Sequence, residues 1–240
     1  MNIALIGYGK MGKIIETVAL SRGHQIVLKI DLENINAFTK ENLSVADVAI
    51  EFTGPHTALE NVLKCISLHT PVVCGSTGWL EKIEEVEHLC TSENGSFIYA
   101  SNFSVGVNIF FEVNKRLAQL MEGQTQYDIS IKEIHHTQKK DAPSGTAISL
   151  AEQVISNNSS KRTWVNEKPN VANELFIESE RTDPYPGLHE VKYSSEIDDI
   201  IITHNAHNRN GFALGAVLAA EFIKDKKGIF TMTDVLGFGD

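Results

Sequence analysis

One stretch of the chain concentrates groups that can move a proton and hold an anion: Glu133-Ile134-His135-His136-Thr137-Gln138-Lys139-Lys140-Asp141-Ala142-Pro143-Ser144-Gly145-Thr146-Ala147. After Pro143, residues Ala147, Ile148, Leu150, Ala151, Val154 and Ile155 recur at helical spacing, so Ser144-Gly145-Thr146 forms the first turn of a helix. The leading N–H groups of a helix have no partner inside it. With two hydroxyls beside them they can hold a carboxylate. Lys139 can add a full positive charge to that anion or give up a proton. His135 and His136 close the strand before the loop, where adjacent side chains point to opposite faces, so one of them at most reaches a reacting atom directly. Imidazole suits that role because it exchanges a proton near neutral pH.

Each of these features has an ordinary explanation when taken singly. Ser-Gly-Thr before a helix is commonly a cap, a lysine pair in a loop is commonly solvated, and a lone histidine is commonly structural. Their joint occurrence favours a site. A metal centre is disfavoured, because adjacent histidines diverge and no carboxylate or thiolate stands at ligand spacing. His204 and His207 lack supporting ligands too, and Asp198-Asp199 reads as a solvated turn.

A second centre lies at the start of the chain. The apolar run Ile3-Ala4-Leu5-Ile6 suits a buried parallel strand and ends in Gly7-Tyr8-Gly9-Lys10-Met11-Gly12. Met11, Ile14, Ile15, Val18 and Ala19 then repeat at helical spacing. Strand, glycine turn and helix in that order form a dinucleotide fingerprint, with backbone N–H groups and the helix N-terminus on the pyrophosphate. Asp31 closes the second strand, Gln25 to Ile30, about 20 residues beyond the turn, where a carboxylate accepts the ribose hydroxyls and repels a 2′-phosphate. Leu32 offers no cation for that phosphate, so NADH is the expected cofactor, while Lys29 and Lys10 leave NADPH open. Three further strand ends carry small or polar loops that suit a nicotinamide ring: Phe52-Thr53-Gly54, Gly75-Ser76-Thr77-Gly78 and Ala100-Ser101-Asn102-Phe103.

The elements that must position these centres are legible as patterns. Short apolar runs at Val48 to Ile50, Val72 to Cys74 and Phe97 to Tyr99 alternate with helical patterns at Ala58 to Leu68 and Leu80 to Cys90. That rhythm predicts a Rossmann-type α/β fold, a doubly wound parallel sheet. After Gly106 the rhythm changes. A helix from Ile109 to Met121, a strand from Tyr127 to Ile134 and the helix from Gly145 to Ser156 lead to a polar surface excursion over residues 157–170. Strands at Glu174 to Arg181, His189 to Ser194 and Ile200 to Thr203 follow without helices, so the second domain is α+β with a mixed or antiparallel sheet. A last helix, Ala213 to Ile223, returns to the first domain. The expected division is 1–106 plus 212–240 for the dinucleotide and 107–211 for the substrate and oligomerisation.

Composition bounds the rest. In 240 residues, 42% are hydrophobic and 22% charged, which suits a globular protein with a sizeable core. The net charge of -10 argues against a nucleic acid or an acidic membrane as partner. Cys65, Cys74 and Cys90 have no CxxC spacing and read as small core residues in a reducing, cytoplasmic setting. The N-terminus runs directly into the first strand, and no apolar stretch is long enough to span a bilayer, so a soluble internal protein is expected.

His135-His136-x-x-Lys139-x-Asp141-Ala142-Pro143-Ser144-Gly145-Thr146-Ala147 resembles the signature of the 4-hydroxy-tetrahydrodipicolinate reductases, also called dihydrodipicolinate reductases. The resemblance covers nearly the whole chain. It includes the glycine turn, Gly75-Ser76-Thr77-Gly78, Asn102-Phe103-Ser104-Val105-Gly106-Val107-Asn108, Ser179-x-Arg181, Gly187-x-His189, Thr203-His204 and Gly228-x-Phe230-x-Met232-x-Asp234-Val235-Leu236. It implies an enzyme of lysine and diaminopimelate biosynthesis that takes hydride from NAD(P)H and acts as a homotetramer. By the same resemblance His135 is the proton donor and Lys139 a second catalytic donor, while His136, Ser144, Gly145, Thr146 and Thr77 bind a dicarboxylate. The dinucleotide would touch Gly7, Tyr8, Gly9, Lys10, Met11, Gly12, Asp31, Gly75, Ser76, Thr77, Ala100, Ser101, Asn102 and Phe103. The chain departs from the commoner family form in a glycine turn one residue shorter, in Ser76 for a frequent Thr, and in a trimmed second domain. Two rival readings share the dinucleotide domain: another small amino-acid dehydrogenase, or a non-enzymatic dinucleotide sensor.

Overall fold

The computed structural model describes residues 1–238. One compact unit comprises Met1–Val105 with the chain from Arg209 onward, and the other comprises Gly106–Asn208. In the first unit, β1 (Asn2–Ile6), β2 (Gln25–Ile30), β3 (Val48–Glu51), β4 (Val72–Cys74), β5 (Ser96–Tyr99) and β11 (Gly228–Phe230) form a six-stranded sheet. Its order is β11-β5-β4-β3-β1-β2, and every pair is parallel. β1 is apolar from Ile3 to Ile6 because both its faces are covered there. Ile3 and Leu5 pack with Ile15 and Ala19 of α1 (Lys10–Ser21) and with Ala216 and Ala220 of α7 (Asn210–Ile223). Ala4 and Ile6 pack with Val62 and Ile66 of α3 (Ala58–Ser67) and Val86 of α4 (Ile83–Ser92). β1 has β2 on one side and β3 on the other, so the chain reverses its direction across the sheet there. Ligands of such sheets bind beyond the carboxyl ends of the strands at that switch point.

The second unit carries β6 (Asp128–His135), β7 (Thr163–Val165), β8 (Glu174–Arg181), β9 (Gly187–Ser194) and β10 (Asp199–Ala206) in the order β10-β9-β6-β8-β7. β6 runs antiparallel to β9 and parallel to β8, so the sheet is mixed. Phe110 and Ala118 of α5 (Val105–Leu120) and Leu150 and Val154 of α6 (Gly145–Asn157) pack on Ile129, Ile131, Ile177, Val191 and Tyr193.

Three local readings change. α5 begins at Val105, ahead of the expected Ile109. The segment 157–170 lies largely at the surface, as expected, but it is not without structure: Thr163–Val165 adds β7 to β8, and Lys161 is buried. A buried ammonium is tolerated only when fully bonded. That of Lys161 donates to Asp128 Oδ1 at 2.7 Å, Ala172 O at 2.8 Å and Glu174 O at 3.0 Å. β11 and the short helix α8 (Met232–Leu236) extend the first unit beyond the last expected helix. Cys65, Cys74 and Cys90 are buried and free. No helix among the described residues is long and apolar enough to cross a membrane.

Candidate active site

The glycine turn after β1 is shaped by the backbone beneath it. Gly7 has φ +95°, in the left-handed region, and a Cβ there would come within 2.2 Å of the Phe52 carbonyl oxygen. A Cβ on Gly12 would meet the Gly7 carbonyl at 2.3 Å, so both glycines let strand and helix approach closely. Gly9 stands at the N-cap of α1 and no side chain caps the helix, which leaves its leading N–H groups to an anion. Around it Tyr8 and Met11 are half-buried and Lys10 is exposed.

Asp31 follows β2 with an exposed carboxylate that accepts from Leu32 N at 2.8 Å, and Leu32 itself lies open to solvent. Lys29 is not a free cation. Its ammonium meets Glu16 Oε1 at 2.6 Å, donates to the Tyr8 hydroxyl at 3.2 Å and sits 4.6 Å over the Tyr8 ring. The Tyr8 hydroxyl also donates to Glu16. Hydrogen bonds from Lys29 and Tyr8 hold the Glu16 carboxyl below its ordinary range.

The remaining strand-end loops converge in this unit. Met11, Phe52, Gly75, Ser101, Asn102 and Phe103 line one crevice of about 250 Å³ together with Arg209 and Phe212. Ala100 is half-buried beside it and Thr77 is exposed. Ser76 is buried, and its hydroxyl accepts from Thr53 N at 2.8 Å, which ties two loops together. Glu51, fully buried, accepts from Thr53 N at 3.0 Å, from the Thr53 hydroxyl and from Cys74 Sγ at 3.1 Å. An uncapped helix start beside a crevice of small and polar loops fits a dinucleotide. Arg209 at the N-cap of α7 was not among the expected residues, and no local motif marks it.

In the second unit the core-facing row of β6 reads Ile129, Ile131, Glu133, His135, apolar at one end and ionisable at the other. Across it, the row of β9 reads Tyr193, Val191, His189, with Glu133 and His189 directly paired. Glu133 is fully buried and its oxygens are filled. Oε1 accepts from Arg181 Nη2 at 3.0 Å, and both oxygens accept from Ser144 N, at 3.0 and 3.2 Å. Oε2 lies 3.3 Å from His135 Nδ1 and 3.7 Å from His189 Nε2. The two imidazoles meet edge to face at 5.0 Å. Burial would raise the Glu133 carboxyl, but hydrogen bonds from His135, His189, Ser144 and Ser179 outweigh it and hold the group well below the carboxylate range. Burial pushes His189 down, towards the neutral form, against the pull of Glu133.

The other expected residues are placed as follows. His136, the residue after β6, is half-buried. Lys139 pairs with both oxygens of Asp141, at 2.9 and 2.8 Å, and that pairing lowers the Asp141 carboxyl. Ser144 is buried, and its hydroxyl accepts from Ala147 N at 3.2 Å as the cap of α6 while lying 3.1 Å from His189 Nε2. Gly145 is exposed and Thr146 half-buried in the first turn. The loop between β6 and α6 is pinned by Thr137 Oγ1 to Asp183 at 2.8 Å and by Arg181 Nη2 to Asp141 O at 2.5 Å.

The reading that no carboxylate stands at ligand spacing to these histidines is corrected: Glu133, His135 and His189 bring their polar atoms within 4.8 Å of one another. Arg181 and the Ser144 amide already occupy the Glu133 oxygens, while His135 Nδ1 and Arg181 Nε are buried without a hydrogen-bond partner, so the group is charge-paired but not fully bonded. The missed signal was the strand period of two, which puts Glu133 and His135 on one face.

This network sets an acid sensitivity. A depressed histidine contributes stability that is full above its unfolded pKa of about 6.5 and is lost as pH falls. A depressed carboxyl does the same below an unfolded value of about 4.3. Calorimetry is expected to show Tm falling between neutral pH and about pH 4. A flat profile would remove neutral His189 from the account.

A parallel sheet with an uncapped glycine turn, and a separate unit with a buried histidine–carboxylate group before a helix start, are features of a pyridine-nucleotide-linked oxidoreductase. Residues 1–103 match the family model "Dihydrodipicolinate reductase, N-terminus", and residues 106–236 match "Dihydrodipicolinate reductase, C-terminus". The chain belongs to the dihydrodipicolinate reductase family. It is 49% identical over 236 residues to the 4-hydroxy-tetrahydrodipicolinate reductase of Christiangramia forsetii, covering 98% of each chain. It is 33% identical to the reductase of Methanosarcina barkeri over 99% of each. Its fold matches dipicolinate-bound dihydrodipicolinate reductase from Paenisporosarcina sp. TG-14 with a TM-score of 0.77 at 23% identity, over 98% of each chain. The protein is thus an NAD(P)H-dependent reductase of lysine and diaminopimelate biosynthesis, and neither another amino-acid dehydrogenase nor a sensor is favoured.

Proposed function

We propose that the protein reduces 4-hydroxy-tetrahydrodipicolinate to tetrahydrodipicolinate, with loss of water, and that His135 supplies the proton. The observation that carries this reading is His135 at the carboxyl end of β6, backed by an ionised carboxylate and close in sequence to the start of α6. When bound, reduced nicotinamide supplies a hydride. Negative charge then develops on the ring nitrogen or its conjugated system, and a positioned imidazolium neutralises it. Lys139 exchanges its Asp141 partner for a substrate carboxylate, and Gly145 and Thr146 offer first-turn N–H groups to the same anion. Ser144 contributes by shaping that turn, since both its amide and its hydroxyl are committed. His136 and Thr77 complete the substrate contacts.

The dinucleotide lies along Gly7 to Gly12, with Asp31 on the adenosine ribose and Gly75 to Thr77 and Ala100 to Phe103 around the nicotinamide. NADH is preferred, because Asp31 repels a 2′-phosphate while the charge of Lys29 is matched by Glu16. NADPH remains a usable second cofactor through Lys10. The exposed Ile197, Ile200 and Ile201, at and before the edge strand β10, support a homotetramer assembled through this sheet. Buried free thiols support a cytoplasmic setting.

The test is loss of NADH absorbance with the product of the preceding synthase as substrate. Rapid turnover is expected, and Lys139→Met should raise KM for the cyclic substrate about 10–100-fold, the scale of a lost charge-assisted hydrogen bond. A folded wild type that turns over neither nicotinamide cofactor would sink the assignment.

A further inference from the structure

We propose that Glu133 is the positioning residue of His135, holding the Nδ1–H of its imidazole so that the proton given to substrate leaves from Nε2, the nitrogen for which Gly187 leaves room. This rests on the reading of His135 as the proton donor and adds how that donor is aimed.

Two independent observations meet here. The first is that Glu133 has no freedom of its own. Arg181 and the Ser144 amide fix its oxygens, and it is fully buried, so it can turn the imidazole rather than be turned by it. Its Oε2 faces His135 Nδ1 at 3.3 Å, outside hydrogen-bond geometry, and the buried Nδ1 has no other hydrogen-bond partner; contacts of this kind tighten when a site is loaded. The second is on the far side of the ring. A Cβ on Gly187 would stand 3.1 Å from His135 Nε2 and 3.4 Å from Cδ2. Gly187 begins β9 in an ordinary extended position, and its φ is not in the region that demands glycine. The missing side chain is therefore clearance for the ring. The charged and titratable groups around His135 are Glu133 on its own strand, Arg181 opposite it on β8, and His189 on β9. His204 on β10 stands opposite His189. The guanidinium bonds to Glu133 and to the Asp141 and Glu180 carbonyls, which leaves the Glu133 carboxylate as the acceptor that faces His135 Nδ1.

The proton balance is simple. An imidazolium with Nδ1–H on Glu133 gives up its Nε2 proton and becomes the neutral Nδ1–H form; Glu133 remains ionised, and water reprotonates Nε2 for the next turnover.

The experiment combines long-range ¹H–¹⁵N NMR of the histidines in wild-type protein with pH profiles of wild type, Glu133→Gln and Glu133→Asp. Wild type is expected to show neutral His135 as the Nδ1–H tautomer. Glu133→Gln should move the basic limb of kcat/KM down by about one pH unit or more and lower kcat at least tenfold, with the Kd for NADH unchanged. Glu133→Asp should recover part of both. An Nε2–H tautomer in wild type, or a Gln variant with the wild-type limb, would overturn the proposal. The tautomer needs no variant, so it decides the matter even where Glu133→Gln fails to fold. An Nδ1–H tautomer in a wild type that turns over no substrate would sink the reductase reading and leave the aiming of His135 standing.

Discussion

Replacement of His135 by Gln is expected to lower kcat by about 10²–10⁴-fold, the scale of a lost general acid, while the Kd for NADH stays within twofold or so of wild type. The separation follows from the molecule. His135 belongs to the row on β6, whereas the glycine turn, Asp31 and the crevice around Phe52 and Phe103 belong to the other unit. Gln keeps about the same length and a hydrogen-bonding end, so Glu133 retains a neighbour and the buried row keeps its packing. What it lacks is a proton to give near neutral pH. Steady-state kinetics with NADH fluorescence titration would read both quantities. A variant with near-normal kcat would move the acid elsewhere, with Lys139 next to be examined.

Gly7→Ala is expected to damage both stability and dinucleotide binding. The backbone there is left-handed, and the new carbon would lie 2.2 Å from the Phe52 carbonyl, a contact that no side-chain rotation relieves. Strained φ and an overpacked backbone cost about 1–3 kcal/mol each. Either the turn after β1 or the end of β3 must move, and both border the expected pyrophosphate path. Urea unfolding should show a lower midpoint, and NADH affinity should fall by about tenfold or more for each 1.4 kcal/mol lost from the cradle. Unchanged affinity in a destabilised variant would mean that the dinucleotide does not use this turn.

What the sequence made legible follows from which signals are local. The parallel sheet was readable because its central strands are buried on both faces, so runs such as Ile3-Ala4-Leu5-Ile6 carry no polar interruption. The helix start at Ser144 was readable from Pro143 and the apolar spacing behind it. The centre behind His135 was not. Glu133 looked like any charged residue in a strand, and its partners Arg181 and His189 arrive from β8 and β9. Lys161 was missed for the same reason, since its acceptors at Asp128, Ala172 and Glu174 come from other segments. Lys29 shows the limit from the other side. A cation near Asp31 left NADPH open in the sequence, and only the placement of Glu16, in the second turn of α1, shows that its charge is already matched.

The composition of α7 bears on how the chain is made. That helix is buried along most of its length through Ala213, Ala216, Val217, Ala219, Ala220 and Ile223, and it completes the same core as Ile3, Leu5 and Val48. On the ribosome those early strands emerge long before the helix that covers one of their faces, while the intervening unit, Gly106–Asn208, is contiguous and can finish first. The amino-terminal half must therefore wait with an apolar sheet face uncovered. A nascent chain arrested before Arg209 is the form most in need of a chaperone, even though it already contains every glycine of the dinucleotide turn.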